Sequence, residues 1–108
     1  MDEVFKALAD TGRRKLLDQL FANNGQTLNE LCEHLAMSRQ AVSKHLAILE
    51  KANLIVTRWQ GREKLHYLNP APIYEIQERW INKYELHRLE ALNDLKKVLE
   101  HREKKNNE

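Results

Sequence analysis

Hydrophobic side chains recur every three or four residues along most of this chain, which predicts a mainly helical protein. The clearest segment covers residues 38–52, where Val42, Leu46 and Leu49 form one stripe at spacings of four and three. Ser38 is the expected N-cap, because its hydroxyl can accept a hydrogen bond from a backbone amide of the first turn. The segment therefore predicts an amphipathic helix, which we call the reading helix.

A second short amphipathic helix is expected just before the reading helix, over residues 27–36. Its leucines share one stripe, and Thr27 and Glu30 have the spacing of a capping box, in which each side chain satisfies a backbone amide at the other position. A tight turn at residues 36–37 separates the two helices. This arrangement predicts a helix-turn-helix in which the second helix reads DNA.

A β-hairpin is expected after the reading helix. Residues 54–59 and 62–68 are rich in β-branched and aromatic side chains, and the intervening Gln60 and Gly61 suit a tight turn. A helix-turn-helix followed by a basic hairpin is a winged helix. The predicted fold is therefore mainly α, with a small two-stranded antiparallel wing.

Two more helices are expected at the N-terminal end. Residues 1–9 carry Val4, Phe5 and Leu8 on one side, and Asp10 can cap a helix that runs to about Asn23. The side chains expected to point inward from this second helix are Leu16, Leu17, Leu20 and Phe21. Its first turn also carries Arg13 and Arg14, which either contact phosphate or are solvated or paired with an acid such as Asp10.

The C-terminal third predicts one long helix over residues 72–103, since no proline or glycine follows Pro72. Thirty helical residues reach about 45 Å, which exceeds the width of a domain of this size. The part of the helix that extends beyond the domain must pack against another surface, and a second copy of the chain is the simplest choice. The alternative is that Trp80 and Tyr84 only complete the core of the monomer.

Composition narrows the class of protein. Hydrophobic residues make up 42% of the 108 residues and charged residues 31%, which is ordinary for a soluble helical domain. No apolar run approaches the roughly 18 residues of a membrane span, and nothing at the N-terminus resembles a signal peptide. We therefore expect a single cytoplasmic domain over residues 1–108 without membrane insertion, which agrees with its one cysteine.

The distribution of charge along the chain is more informative about the binding partner than the net charge of +2. Between residues 38 and 64 there are six Arg or Lys against two acids. Basic charge therefore gathers on the reading helix and the hairpin, as expected for a surface that binds a polyanion. The chain shows no glycine-rich phosphate loop, paired carboxylates or activated nucleophile, so we expect no enzyme activity.

The chain resembles the ArsR/SmtB family of small bacterial winged-helix repressors. The likeness covers residues 3 to about 85 and is carried by the runs VFKALADTGRRKLLDQL, SRQAVSKHLAILEKANLI and GREKLHYLNPAP. It departs from the family at Thr11 and Gly12, where the family commonly has proline after the cap. The resemblance implies a homodimeric repressor of an inverted-repeat operator, dimerising through its first and last helices. The expected interface comprises Val4, Phe5, Leu8, Ile73, Ile76, Trp80, Ile81 and Tyr84.

The expected partner is double-stranded DNA. Gln40, Ser43 and Lys44 are expected to face base edges, and Trp59, which can lie on the hairpin face or against the body, is not assigned to DNA. Alternation puts His66 on the same hairpin face as Lys64. Arg39 and His45 are expected on phosphates or at the groove margin, and the helix starts at Thr27 and Ser38 on phosphates. The complete predicted DNA-binding set is Thr27, Ser38, Arg39, Gln40, Ser43, Lys44, His45, Arg58, Arg62 and Lys64.

A metal or arsenical sensor is the main alternative within the family, because Cys32 and His34 fall where such sensors carry a cysteine pair. Two residues that are two apart on a helix point in different directions, so further ligands would be needed. The chain therefore resembles the branch without the cysteine pair, and we expect neither metal nor cofactor. A protein-interaction module is the alternative from another class. The inducing effector, or a protein that sequesters the regulator, is not specified by the sequence.

Overall fold

The computed structural model describes residues 1–106, with the side chains of residues 1–81 and 88–101. Its contacts form two compact units, Met1–Pro72 and a second unit from Ile73 onward. In order, the elements are α1 (Asp2–Leu8), α2 (Thr11–Ala22), α3 (Leu28–His34), α4 (Arg39–Lys51), β1 (Ile55–Gln60), β2 (Glu63–Leu68), α5 (Ala71–Ile76), a π-helical segment (Gln77–Glu85) and α6 (Leu86–Asn106). The first unit is a winged helix-turn-helix, which confirms the predicted fold class.

The core of the first unit forms around α4. Val42, Leu46 and Leu49 are all buried, as their spacing predicts. Leucines from α2 and α3 pack around them, and α4 contacts α1, α2, α3 and β1. The reading helix, which is α4, is therefore held from several sides by the rest of the unit.

The prediction that Phe21 of α2 points inward is wrong. Leu16, Leu17 and Leu20 are buried as expected, but Phe21 is 82% exposed. Each helical residue is rotated by about 100° from the one before it, which carries Phe21 past the edge of the stripe centred on Leu16 and Leu20. Phe21 therefore adds nothing to the core of the first unit.

The hairpin is present, but its turn lies one residue later than predicted. Gln60 pairs with Glu63, so the two turn residues are Gly61 and Arg62. Gly61 has a φ of +63°, a backbone conformation that residues with a side chain rarely adopt. Glycine at the first of two turn positions is typical of a type II′ hairpin, whose twist matches that of the strands.

A buried pair of polar residues joins β2 to the loop between α2 and α3. His66 N–H donates to the Gln26 carbonyl at 2.8 Å, and Gln26 N–H donates to the His66 carbonyl at 3.2 Å. The His66 Nδ1 atom lies 2.9 Å from the same Gln26 carbonyl, so Nδ1 carries the proton, since a carbonyl only accepts. Because His66 is 5% exposed, its role is to dock the wing and not to face solvent beside Lys64.

The C-terminal unit is helical from Ile73 through Asn106, but π-helical over Gln77–Glu85. The π-helical turn, which closes hydrogen bonds five residues apart, has no counterpart in the predicted α-helix. Large exposed apolar side chains in this unit are Ile73, Tyr74, Trp80, Ile81, Leu89, Leu92, Leu95, Val98 and Leu99. Across residues 1–106, no helix combines the length and the apolar character that crossing a bilayer requires.

Truncating the core of the first unit should separate buried from exposed apolar positions. Leu49→Ala leaves a cavity beneath α4 and should lower the free energy of unfolding by about 2–5 kcal/mol. Phe21→Ala is the matched control and should change it by less than about 0.5 kcal/mol. Urea unfolding followed by circular dichroism measures both. Equal losses in the two variants would contradict the burial described for α2 and α4.

Candidate nucleic-acid interface

The start of α4 forms one edge of the candidate interface. Ser38 is the N-cap, and its Oγ accepts a hydrogen bond from the Ala41 N–H at 3.1 Å. The first turn contains no acid, and Gln40 and Lys44 are exposed one turn apart, with Ser43 beside them. These uncommitted donors and acceptors have the chemistry needed to read base edges in a major groove.

Thr27 caps α3 and is fully engaged there. Its Oγ1 accepts from the Glu30 N–H at 3.2 Å, while the Thr27 N–H donates to Glu30 Oε1 at 3.3 Å. The Thr27 hydroxyl also donates to Glu30 Oε1 at 3.1 Å. The predicted capping box is confirmed. The predicted phosphate contact by Thr27 stays a prediction, and it must compete with the Glu30 carboxylate.

Asn29 lies beside the candidate interface and was not revealed by the sequence. The Arg39 guanidinium donates a hydrogen bond from Nη1 to Asn29 Oδ1, which links the first residue of α4 to the first turn of α3. The two residues are ten positions apart, and no local spacing signals such a pair. Asn29 therefore restrains the direction of the Arg39 side chain at the edge of α4.

His45 lies in a joint between α1, α2 and α4. Its Nδ1 atom is 3.8 Å from Asp10 Oδ2 and 3.4 Å from Arg13 Nη1, and its side chain is 20% exposed. The Gly12 position is close by, since a Cβ there would lie 3.1 Å from His45 Nε2. His45 thus contacts the α1–α2 connection, and its predicted phosphate contact stays a prediction.

Arg13 and Arg14 cap the C-terminal end of α1. Arg13 donates from Nε to the Ala7 carbonyl at 2.8 Å and from Nη2 to the Lys6 carbonyl at 3.0 Å. Arg14 donates from Nη1 to the Leu8 carbonyl at 2.7 Å. Cations at these carbonyls complement the helix dipole. Both guanidinium groups thus hydrogen-bond within the joint, and the charge of Arg13 acts on Asp10, the acid named as its alternative partner.

Asp10 completes the joint as the N-cap of α2. The Arg13 N–H donates to Asp10 Oδ2 at 3.0 Å, and this hydrogen bond holds the pKa of Asp10 below its ordinary value. The charges of Arg13 and His45 lower the pKa of Asp10 further, whereas desolvation opposes them. The ionised carboxylate is therefore the form that the fold favours.

The wing carries basic side chains on both of its faces. Lys64 and Arg58 lie on opposite faces, because Lys64 pairs with Trp59 in the ladder while Arg58 pairs with Leu65. Lys64 Nζ is 3.7 Å from Glu50 Oε2, and the Thr57 hydroxyl donates to Glu50 Oε1 at 3.3 Å. Glu50 therefore ties the wing to α4 and partly neutralises Lys64.

A hollow of about 390 Å³ separates α4 from the wing, and a neighbouring hollow lies along α3 and α4. Arg39 and Ser43 line both of them. The first hollow has mixed charge, with Arg39, Arg62 and Lys64 set against Glu50 and Glu63. The basic groups and the exposed side of α4 thus share one surface of the first unit.

The segment of α3 that suggested a metal site has a half-buried cysteine. Cys32 is partly buried, and His34 is exposed at the end of the helix. Within the part of the chain that the structure describes, no three His, Cys, Asp or Glu side chains are grouped so that they could hold a metal ion.

Comparison with known proteins finds similarity to bacterial transcriptional regulators. The model of the bacterial regulatory protein arsR family matches residues 10–57. The HTH-type transcriptional regulator YuzN of Bacillus subtilis is 37% identical over 86 residues, which cover 74% of this chain and 94% of that protein. The transcriptional repressor SdpR of Bacillus subtilis is 38% identical over 69 residues, 64% of this chain and 76% of SdpR.

Solved structures show the same likeness. An ArsR-like transcriptional regulator from Rhodococcus sp. RHA1 superposes with a TM-score of 0.68 at 31% sequence identity. The match covers 87% of this chain and 90% of that one. The similarity therefore extends over most of the chain, beyond the residues that the family model matches.

Replacing Asp10 by Asn should change how stability depends on pH. Asn keeps a capping oxygen but has no charge, so wild type should be the more stable protein at pH 7. Because the pKa of Asp10 is lowered on folding, this advantage should be complete above pH about 4 and should vanish as pH falls through the folded-state pKa. Urea unfolding at several pH values measures the difference, with Asp18→Asn as the control for loss of one charge. An advantage that persists unchanged at pH about 2 would contradict the assignment.

Proposed function

Since the chain belongs to the arsR family of bacterial regulatory proteins, which are DNA-binding transcriptional regulators, we propose that it is a homodimeric repressor of an inverted-repeat operator. The observation that carries this proposal is the acid-free, exposed start of α4 beside a basic wing. In a dimer, two such helices enter successive major grooves on one side of the duplex. The centres of the half-sites then lie about 10 base pairs apart, or a multiple of that.

Gln40, Ser43 and Lys44 are the proposed base-reading residues. All three are exposed in the first two turns of α4. A glutamine amide can pair with the N6 and N7 positions of adenine, and a lysine ammonium can reach the O6 and N7 acceptors of guanine. The serine hydroxyl can donate or accept beside them. These contacts give the regulator its sequence preference.

The other members of the predicted set are proposed to hold the phosphate backbone and position α4. Arg58 and Arg62 are exposed on the wing, and Arg62 occupies the turn, where a side chain can enter a narrow minor groove. Arg39 approaches from the edge of α4. The remaining proposed backbone contacts are Thr27, Ser38, His45 and Lys64.

A second copy of the chain is the proposed partner of the exposed apolar surfaces on α1 and on the C-terminal unit. Phe5 is 44% exposed, Trp80 48% and Ile81 45%, and Ile73 is exposed as well. Val4, another proposed member, is already buried within its own unit. The other proposed members are Leu8, Ile76 and Tyr84, and the Tyr84 side chain lies outside the described residues. Both units of residues 1–108 then act together as one cytoplasmic dimer, with residues 72–103 as its dimerisation helix.

Two substitutions should separate base reading from phosphate binding. Gln40→Ala removes a base contact and should relax the sequence preference, costing about 1–3 kcal/mol on the preferred operator only. Arg62→Ala removes a phosphate contact and should weaken binding to all duplexes alike, while the slope of log affinity against log salt falls by about one. Fluorescence anisotropy on operator and random duplexes at several salt concentrations measures both.

The two variants serve as controls for each other, since each should leave intact the property that the other changes. Identical behaviour of Gln40→Ala and Arg62→Ala would contradict the division between α4 and the wing. Failure of the wild-type protein to bind any duplex at low salt would contradict the proposed function itself.

A charge placed in the proposed dimer interface should separate the subunits. Ile81→Glu buries a carboxylate in that interface, so the protein should sediment as a monomer at micromolar concentration and bind its operator more than about tenfold more weakly. Phe21→Glu adds the same charge at an exposed position outside the interface and should stay dimeric. Analytical ultracentrifugation measures the mass. A dimer with Ile81→Glu, or a monomer with Phe21→Glu, would contradict the proposed interface.

A further inference from the structure

Trp59 lies on the face of the wing that is turned toward α4. Ile55, Thr57 and Trp59 share this face of β1, because successive side chains of a strand alternate. Ile55 is buried, and the Thr57 hydroxyl reaches Glu50 of α4. The cross-strand neighbour of Trp59 is Lys64, which also reaches Glu50. The register therefore places Trp59 on the same face of the hairpin as Thr57 and Lys64.

The fold itself gives Trp59 little to pack against. Its side chain is 70% exposed, whereas Ile55 at the other end of the same face is 1% exposed. A single exposed apolar side chain is common on protein surfaces, so exposure alone indicates nothing. What distinguishes Trp59 is that it extends the inner face of the wing beyond the body, next to the candidate DNA-binding surface.

The charge around Trp59 favours an anionic occupant. On the side of the hairpin that carries Trp59, Arg62 lies in the adjacent turn and Lys64 is its cross-strand neighbour. Glu50 is paired with Lys64, and Glu63 shares the other face of the hairpin with Arg58, although it also lines the hollow beside α4. An indole offers a broad apolar surface together with one N–H donor. Deoxyribose and phosphate present the matching apolar surface and acceptor.

We propose that Trp59 is a DNA-contacting residue whose indole packs against the sugar–phosphate backbone beside the wing, with Nε1–H donating to a phosphate oxygen. This inference rests on the proposed function and adds to it an uncharged, sequence-independent contact. Such a contact raises the affinity for every duplex by the same factor. Because it neutralises no phosphate, it leaves the salt dependence unchanged.

The test compares Trp59→Ala and Trp59→Phe with wild type on two probes of about 30 base pairs, one of random sequence and one from the operator region. Trp59→Ala should weaken binding to both about 5- to 20-fold, while the salt slope stays within about 0.5 of the wild-type value. Trp59→Phe keeps a ring without the N–H and should lose less. Val56→Ala, on the opposite face of the same strand, is the matched control and should bind as wild type.

Intrinsic fluorescence gives a second readout that does not depend on affinity. The emission of wild type minus that of Trp59→Phe isolates Trp59, and this difference should be quenched or blue-shifted at saturating duplex. If wild type binds duplex but the difference spectrum is unchanged and Trp59→Ala binds equally well, the inference is overturned while the proposed function stands. If wild type binds no duplex, both are overturned. A difference spectrum that changes with protein concentration without DNA would assign Trp59 to a protein contact instead, which also overturns the inference.

Discussion

The burial of one side of α4 is the interaction on which the rest of the structure depends. Val42, Leu46 and Leu49 are enclosed by α1, α2, α3 and β1, so α4 can neither rotate about its axis nor tilt without opening the core. With 3.6 residues per turn, burying this stripe forces Gln40 and Lys44 to the opposite side. The proposed base-reading residues are thus placed by the residues that form the core.

The joint at Asp10, Arg13 and His45 extends this constraint to the N-terminal helix. α1 has seven residues, too few for a helix that is stable alone. The Arg13 side chain donates a hydrogen bond to a carbonyl in its last turn and also lies beside His45 of α4. Lys51 of α4 also lies 3.8 Å from Glu3 of α1. The orientation of α1, which carries part of the proposed dimer surface, is therefore linked to the orientation of the reading helix.

Local signals predicted the helices, their caps and the hairpin, because each of these is decided by residues within four positions of one another. The Thr27–Glu30 capping box and the Ser38 cap are examples. Contacts between distant residues were not predictable from spacing. The burial of His66 depends on Gln26, 40 positions away, and the position of His45 depends on Arg13, 32 positions away. The turn was misplaced by one residue because Gly61 suits either turn position.

In the proposed complex, the exposed side of α4 enters the major groove while the wing follows the backbone. A footprint of the bound operator with a reagent that attacks guanine N7 tests this most directly, because N7 lies in the major groove. We expect two protected patches with centres about 10 base pairs apart, or a multiple of that, with backbone protection on their outer flanks. Guanine N7 atoms that remain fully reactive in a saturated complex would contradict it.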